Sequence, residues 1–526
     1  MVTTTSKQSP KKVIILGGGI AGWMTAAAFS KLLPADQYVI SLIESKQITR
    51  VGVGEATLPH LRYFNERLGI DEADFMRKTK ATFKVGIEFS NWHKKGASFI
   101  HPFGEYGQPI NKVDFHHAWT KQRLNGFENN LDEYSLPVMA SLNSKFNFPN
   151  GHLDSVSSSY AYSYHIDAGQ YAKFLEEFSV TNGVHHIEGK VNQVLQGEQG
   201  DIESLVLDNG LQINGDFFVD CSGFNGKLIS QTLDVEFEDW THWLPCNTGI
   251  ALPSDHTENP VPYTKAIAQD AGWVWRIPLQ HRLGNGHVFC DKFTTAEKAT
   301  DELVNSLLGK PLAEPVSYKF GAGKPKKSWY KNCVAIGLAS GFLEPLESTT
   351  LYLIQSSIMK LIEVFPENTN DFEELDIKAY EYNRCLDNEM LRIRDFLILH
   401  YCTTERTDTE FWRYCKNMSI PDSLSEKIEL FKEFGCLDNY QHGLFRQPSW
   451  VAVYLGQGII PNSYDPRIDL IDNDELQLKM AQIKHQVHET AKAMPVHQDL
   501  LAKYLKQKHH NRTKTDATMS LYGRTS

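Results

Sequence analysis

The sequence predicts an α/β fold in which a mixed nucleotide-binding part carries a helical C-terminal part packed on it. Three observations carry that prediction. The chain opens on strand, glycine turn, helix, strand and acid, the order of a dinucleotide-binding unit. Short strands and hairpins recur as far as Ile336, and from Thr349 onward helical patterns dominate. The expected divisions are a box with substrate-facing strands over 1–365, a helical part over 366–509 and a loose polar tail over 510–526.

Val13 to Leu16 reads as a buried strand, Gly17 to Gly22 as a GxGxxG turn, and Ala21 to Leu33 as a helix. Tyr38 to Ile43 is a second strand ending in Glu44. Gly17, Gly19 and Gly22 would let the backbone approach a pyrophosphate at the helix start, and Glu44 would accept from a ribose hydroxyl. Lys11-Lys12 followed by an apolar run has the look of a signal peptide, but the glycines interrupt it, so neither a leader nor a membrane span is expected. Amphipathic helices fill 58–80. Ala81 to Phe89 alternates, with Phe83, Val85, Ile87 and Phe89 on one face and Lys84, Gly86 and Glu88 on the other. On pattern alone Lys84 lies on the wet side of a half-buried strand.

Residues 90–165 read as aromatic and loop-rich, with His101-Pro-Phe-Gly104 in a turn. A helix is expected over 167–182, short strands through Val206, a strand over 216–220, hairpins over 262–290 and a helix over 294–308. Further helices are expected over 349–365, 371–402, 422–434, 475–492 and 495–507.

Composition narrows the function classes. A net charge of −11 disfavours a nucleic-acid backbone as partner. The eight cysteines form no CxxC pair and no Cys/His cluster, so reduced thiols in a cytoplasmic protein, without a bound metal, are expected.

The most informative stretch is Gly341-Phe-Leu-Glu-Pro-Leu-Glu-Ser-Thr-Thr350. It follows a strand-like run and precedes a helix. Ser348 and Thr349 suit a helix entry, where backbone N–H groups lack partners and an anion can sit. The Glu347 carboxylate adjoins that entry.

In this order the motifs resemble those of the flavin-dependent tryptophan halogenases. They are Gly17-Gly-Gly-Ile-Ala-Gly-Trp23, Gly52-Val-Gly-Glu-Ala-Thr57, Ala81-Thr-Phe-Lys84, Trp273-x-Trp-x-Ile-Pro278, Phe342-Leu-Glu-Pro-Leu-Glu-Ser-Thr349 and the run from His400 to Trp412. The similarity spans about residues 11 to 465. It implies an FAD-binding box of the aromatic hydroxylase type. It also implies FADH2 from a separate flavin reductase, O2, and a halide ion (chloride or bromide) converted to hypohalous acid. Lys84 matches the lysine that activates or captures that acid, and Glu347 the glutamate that assists substitution and removes the ring proton. Flavin contacts carry over to Gly18, Ala21, Ser45, Val51, Val53, Ala56, Val191, Leu338 and Leu351. Halide would meet the backbone N–H groups of Thr349 and Thr350, although a glycine is common where this chain has Thr350. Trp273 and Trp275 match the pair that bars organic substrate from the flavin. His101 and Phe103 match the aromatic walls around an indole.

The chain departs from the resemblance at 436–460, where Cys436 to Trp450 lacks the Tyr-, Trp- and Glu-rich segment that grips an amino acid's charged end. An unpaired charged end is costly to bury. The expected substrate is therefore a free indole, another electron-rich aromatic or a carrier-linked one. An FAD aromatic hydroxylase and a non-catalytic flavin-binding protein are the alternatives, and either a monomer or a homodimer is compatible with the sequence.

Overall fold

The computed structural model describes residues 9–46, 54–128, 130–150, 152, 155–256, 258–369, 371–437, 443–506 and 520–522. Its first sheet has six strands in the order Trp329–Tyr330, Cys333–Ala335, Phe217–Asp220, Lys11–Leu16, Tyr38–Glu44, His185–Glu188. All neighbours run parallel except the first pair. Val13 to Leu16 and Phe217 to Asp220 are fully buried runs, as a sheet covered on both faces requires. The first helix is Ile20–Leu32, one residue earlier than expected at each end.

A second sheet of seven strands runs Val316–Lys319, Thr248–Ala251, Leu283–Phe289, Gly272–Pro278, Thr264–Ala268, Gly86–Ser90, Ser98–Pro102. A small third sheet sets Ser163–Asp167 between Gly54–Ala56 and Thr82–Lys84. The stretch read as one alternating strand is thus two strands in two sheets, joined at Val85. The Val85 N–H donates to Pro262 O at 2.8 Å, and its carbonyl accepts from Phe103 N at 2.7 Å. Both faces of this joint are covered. Lys84 is 0% exposed, and the wet-face reading is corrected.

Three other expectations change. His101 and Pro102 end the Ser98–Pro102 strand instead of forming a turn, because His101 is in register with Ile87 of the neighbouring strand. Within 90–165, expected to be mostly loop, the helices Phe115–Leu124 and Leu136–Leu142 form. Of the expected loose tail, residues 520–522 are packed, with Leu521 and Tyr522 both 0% exposed. These two side chains are apolar enough to join the core beside Phe445 and Trp450.

The long C-terminal helices begin where side-chain caps allow. Asp371 accepts from Glu373 N and Glu374 N ahead of Phe372–Cys402, and Asp472 caps Asn473–Ala493 in the same way. One core joins Trp23 and Phe29 to Tyr382, Leu501 and Tyr504. A second joins Trp273 and Trp275 to Phe396, Trp450 and Tyr522. Each core draws on both the sheets and the late helices. Among the described residues no helix is long and apolar enough to cross a membrane.

Candidate active site

At the nucleotide end, the glycine turn is shaped by close approaches. Gly17 has φ +120°, and a Cβ there would strike Cys221 O at 2.2 Å. A Cβ on Gly22 would strike Gly17 O at 1.8 Å. One on Gly18 would meet Glu44 Oε2 at 1.8 Å, so the expected ribose acid lies directly on the turn. A Cβ on Gly19 would meet no atom within 4 Å, which leaves the start of the Ile20–Leu32 helix open to a ligand. Gly337 brings the Leu338 turn against Ala21, and Leu351 packs into the same core as Trp23. Ala56 ends the Gly54–Ala56 strand, Ser45 follows Glu44, and Val191 packs near Leu16 and Ile43. These residues suit a bound dinucleotide flavin. Val51 and Val53 lie outside the described residues.

The second end of the site is dry and charged. The Lys84 Nζ donates to Ser348 Oγ at 2.8 Å and to Thr57 O at 3.2 Å, and it lies 4.8 Å from the centre of the Phe103 ring. Ser348 adjoins Glu347, and the Glu347 charge acts on Lys84, so the lysine and the glutamate, 263 positions apart in sequence, are buried close to one another. Burial pulls the Lys84 ammonium down to about 7, against the upward pull of Glu347 and then Glu55.

Glu347 is held by two histidines. His101 Nδ1 lies 2.9 Å from both carboxylate oxygens, and His400 Nε2 lies 2.9 Å from Oε1. Burial by itself would raise the Glu347 carboxyl; His101 and then His400 overcome it and hold it at about 2. His400 Nδ1 faces Phe396 O at 2.8 Å, so both of its ring nitrogens face acceptors.

The helix Thr350–Glu363 begins here, but not as its sequence suggested. Ser348 adopts a left-handed φ of 61°, and neither it nor Thr349 caps the helix with its side chain. The Ser348 hydroxyl serves Lys84 instead. Among the described residues, the Thr349 and Thr350 amides find no protein acceptor, and the buried Thr349 Oγ1 is also unpaired. This is a cradle of unused donors at a helix start. A cleft lined by Leu338, Phe342, Leu343, Thr350 and Leu353 joins that start to the Leu338 turn.

Trp273 and Trp275 stand on the Gly272–Pro278 strand with ring centroids 6.2 Å apart. Both are buried, which fits a wall between compartments as well as a core. Trp275 fits because its neighbour across the sheet is glycine: a Cβ on Gly286 would meet Trp275 Cζ2 at 1.9 Å. Gly286→Ala should therefore displace the indole and cost about 1–3 kcal/mol. Urea unfolding would reveal it, and an unchanged midpoint would show that the ring is not confined.

The site also contains residues to which the sequence assigned no role. His400 opens one of the matched motifs, but nothing local reveals its partner. Ser449 sits on Gln447–Gly456, a helix buried around most of its girth and so without a readable period. Its Oγ lies 2.8 Å from His101 Nε2. Part of the segment expected to lack an amino-acid clamp, 438–442, is outside the described residues.

Comparison with known proteins accords with this geometry. Residues 12–473 match the family model described as tryptophan halogenase. The chain is similar to Xcc4156, a flavin-dependent halogenase from Xanthomonas campestris, with 43% identity, TM-score 0.90, and 96% of this chain and 100% of the other covered. BrvH, a flavin-dependent halogenase from Brevundimonas sp. BAL3, shares 41% identity with TM-score 0.89, over 94% of this chain and 99% of its own. Tryptophan 6-halogenase ThaL from Streptomyces albogriseolus is 35% identical over 93% of this chain and 98% of its own length.

Proposed function

The chain belongs to the tryptophan halogenase family, and from that premise we propose that its substrate is an indole-type or other electron-rich aromatic and not free tryptophan. It is a flavin-dependent halogenase. The observation that carries the mechanism is the burial of Lys84, bonded to Ser348, within reach of the charge of Glu347.

FAD, reduced by a separate reductase, would be held by the glycine turn, Glu44, Leu338 and Leu351, and with O2 it supplies the oxidising power that turns halide into hypohalous acid. The unpaired amides of Thr349 and Thr350 suit the halide ion. An ammonium has three N–H donors, and Lys84 spends two on Ser348 and Thr57, which leaves one for the oxygen of the hypohalous acid. As the ring carbon bonds to the halogen, the halogen–oxygen bond breaks and the oxygen leaves as water, taking the Lys84 proton. Glu347 takes the proton from the substituted ring carbon. A ring carbon in that state is so strong an acid that even a carboxylate held at about 2 suffices. The proton gained by Glu347 balances the one lost by Lys84, so the pair is reset by a single transfer.

The site needs a flat, electron-rich ring between His101 and Phe103. The Cys436 to Trp450 stretch lacks the residues that would grip an α-amino acid, which is the reason to set free tryptophan aside. The test supplies a flavin reductase, FAD, NADH, air and either chloride or bromide, with indole, substituted indoles and tryptophan offered in turn. Halogen isotope patterns should appear with the indoles and be at least about tenfold weaker with tryptophan. Equal or better turnover of tryptophan would defeat the substrate assignment, and oxygenated product without halogen would defeat the reaction.

A further inference from the structure

We infer that Tyr522, near the C-terminus, is a positioning residue that acts through Ser449 and His101 on Glu347. This rests on the reading of Glu347 as the proton acceptor. The four side chains form one continuous series: Tyr522 Oη to Ser449 Oγ at 2.7 Å, Ser449 Oγ to His101 Nε2 at 2.8 Å, and His101 Nδ1 to Glu347 at 2.9 Å. All four are buried.

The direction of every hydrogen in the series follows from its two ends. At one end an ionised Glu347 can only accept, so His101 Nδ1 must carry the hydrogen. A neutral His101 then presents a bare Nε2, which only the Ser449 hydroxyl can satisfy by donating. Having donated, Ser449 Oγ needs a donor of its own, and the Tyr522 hydroxyl supplies it. At the other end the Tyr522 oxygen accepts from the Arg446 backbone N–H at 2.7 Å, a donor that cannot be reversed. The Tyr522 hydroxyl has two longer acceptors, Arg446 O at 3.4 Å and Leu444 O at 3.5 Å, so the 2.7 Å contact with Ser449 is the one its geometry favours. Without Tyr522, Glu347 still holds the hydrogen on Nδ1, but the Ser449 hydroxyl loses the donor that aims it at Nε2, and His101 loses the anchor on its far side.

The segment is built to hold that phenol in place. The Arg446 guanidinium lies over the Tyr522 ring at 4.8 Å and donates to Ser520 Oγ at 2.7 Å, and the same oxygen accepts from Tyr522 N at 3.0 Å. Phe445, next to Arg446, stacks on Phe396, and both rings flank His101. Tyr522 thus stands behind His101, on the side away from Glu347, and serves the wall of the substrate chamber from outside it.

The experiment compares wild type, Tyr522→Phe, Ser449→Ala and the double variant as full-length chains. Histidine-selective 15N NMR, with His101 assigned by the signal lost in His101→Gln, should show hydrogen on Nδ1 throughout and an Nε2 signal that shifts in each variant as its hydrogen bond from Ser449 weakens or is lost. Each single variant should lose about five- to tenfold in kcat with KM nearly unchanged, and the double variant should lose no more than either alone. A purely structural role would instead give additive losses and an unmoved Nε2 signal. A wild-type Nε2 signal and kcat in Tyr522→Phe would overturn the inference. Should that variant fail to fold, Ser449→Ala breaks the same series one step closer to His101, and a wild-type kcat there would overturn it equally. If Glu347→Gln keeps full turnover while the Nε2 signal responds to Tyr522, the fault lies with the role given to Glu347 and not with the series.

Discussion

Lys84→Met should yield a folded flavoprotein that oxidises reduced flavin in air and gives no halogenated product. Turnover should fall by at least about 100-fold, since the variant loses the donor that would protonate the departing oxygen. The flavin residues lie on other elements, so flavin oxidation should persist. Wild-type turnover itself should decline as pH rises through about 7, where Lys84 loses its proton. The same substitution carries a second signature. Between about pH 7 and the ordinary lysine range near 10.4, the unfolded chain holds a proton on Lys84 that the folded chain does not. Wild-type stability from this group is therefore lowest below pH 7 and recovers as pH rises. Lys84→Met removes that cost and should be more stable than wild type at pH 7, by an amount on the order of 3 kcal/mol, with the advantage shrinking toward pH 10. Denaturant titrations at the two pH values check the sign. A variant less stable than wild type at pH 7 would show that the bonds to Ser348 and Thr57 outweigh the cost of burying the ammonium, and full product formation would remove Lys84 from the reaction.

How far these features were legible depends on whether their cause is local. The glycine turn was readable because Gly22 answers to Gly17 five residues away and Gly18 to Glu44 at the end of the next strand, while Gly17 answers to Cys221 at the end of the strand beside it. The long helices were readable because Asp167, Asp371 and Asp472 cap them from within the same stretch. The burial of Lys84 was not. Alternation implies one wet face only when a single sheet covers the strand, and here the chain crosses from one sheet to another at Val85. His101-Pro-Phe-Gly has the composition of a turn, but pairing with Ile87 keeps its first residue extended. The family resemblance supplied the roles of Lys84 and Glu347, which no local pattern could, yet it offered nothing for Ser449 or Tyr522. Tyr522 is one aromatic in a polar stretch, and its place is fixed by residues more than 70 positions away.

Glu347→Gln should cut turnover by about 10² to 10⁴-fold while FAD affinity stays at the wild-type level. The amide matches the carboxylate in size but cannot take a ring proton. It also disturbs its neighbours, because His101 Nδ1 and His400 Nε2 both point at this side chain and a Gln NH2 can accept from neither. The loss reaches Lys84 as well. Glu347 is the largest influence holding the Lys84 ammonium up against burial, so its neutralisation lets the lysine fall further below about 7. The residual activity of Glu347→Gln should accordingly disappear at lower pH than that of wild type. Halide oxidation precedes the step that needs Glu347, and trapping of free hypohalous acid by an added scavenger should continue. A pH profile superimposable on wild type would mean that the two charges do not sense each other. Undiminished turnover in the coupled assay would place the proton acceptor elsewhere in the chamber.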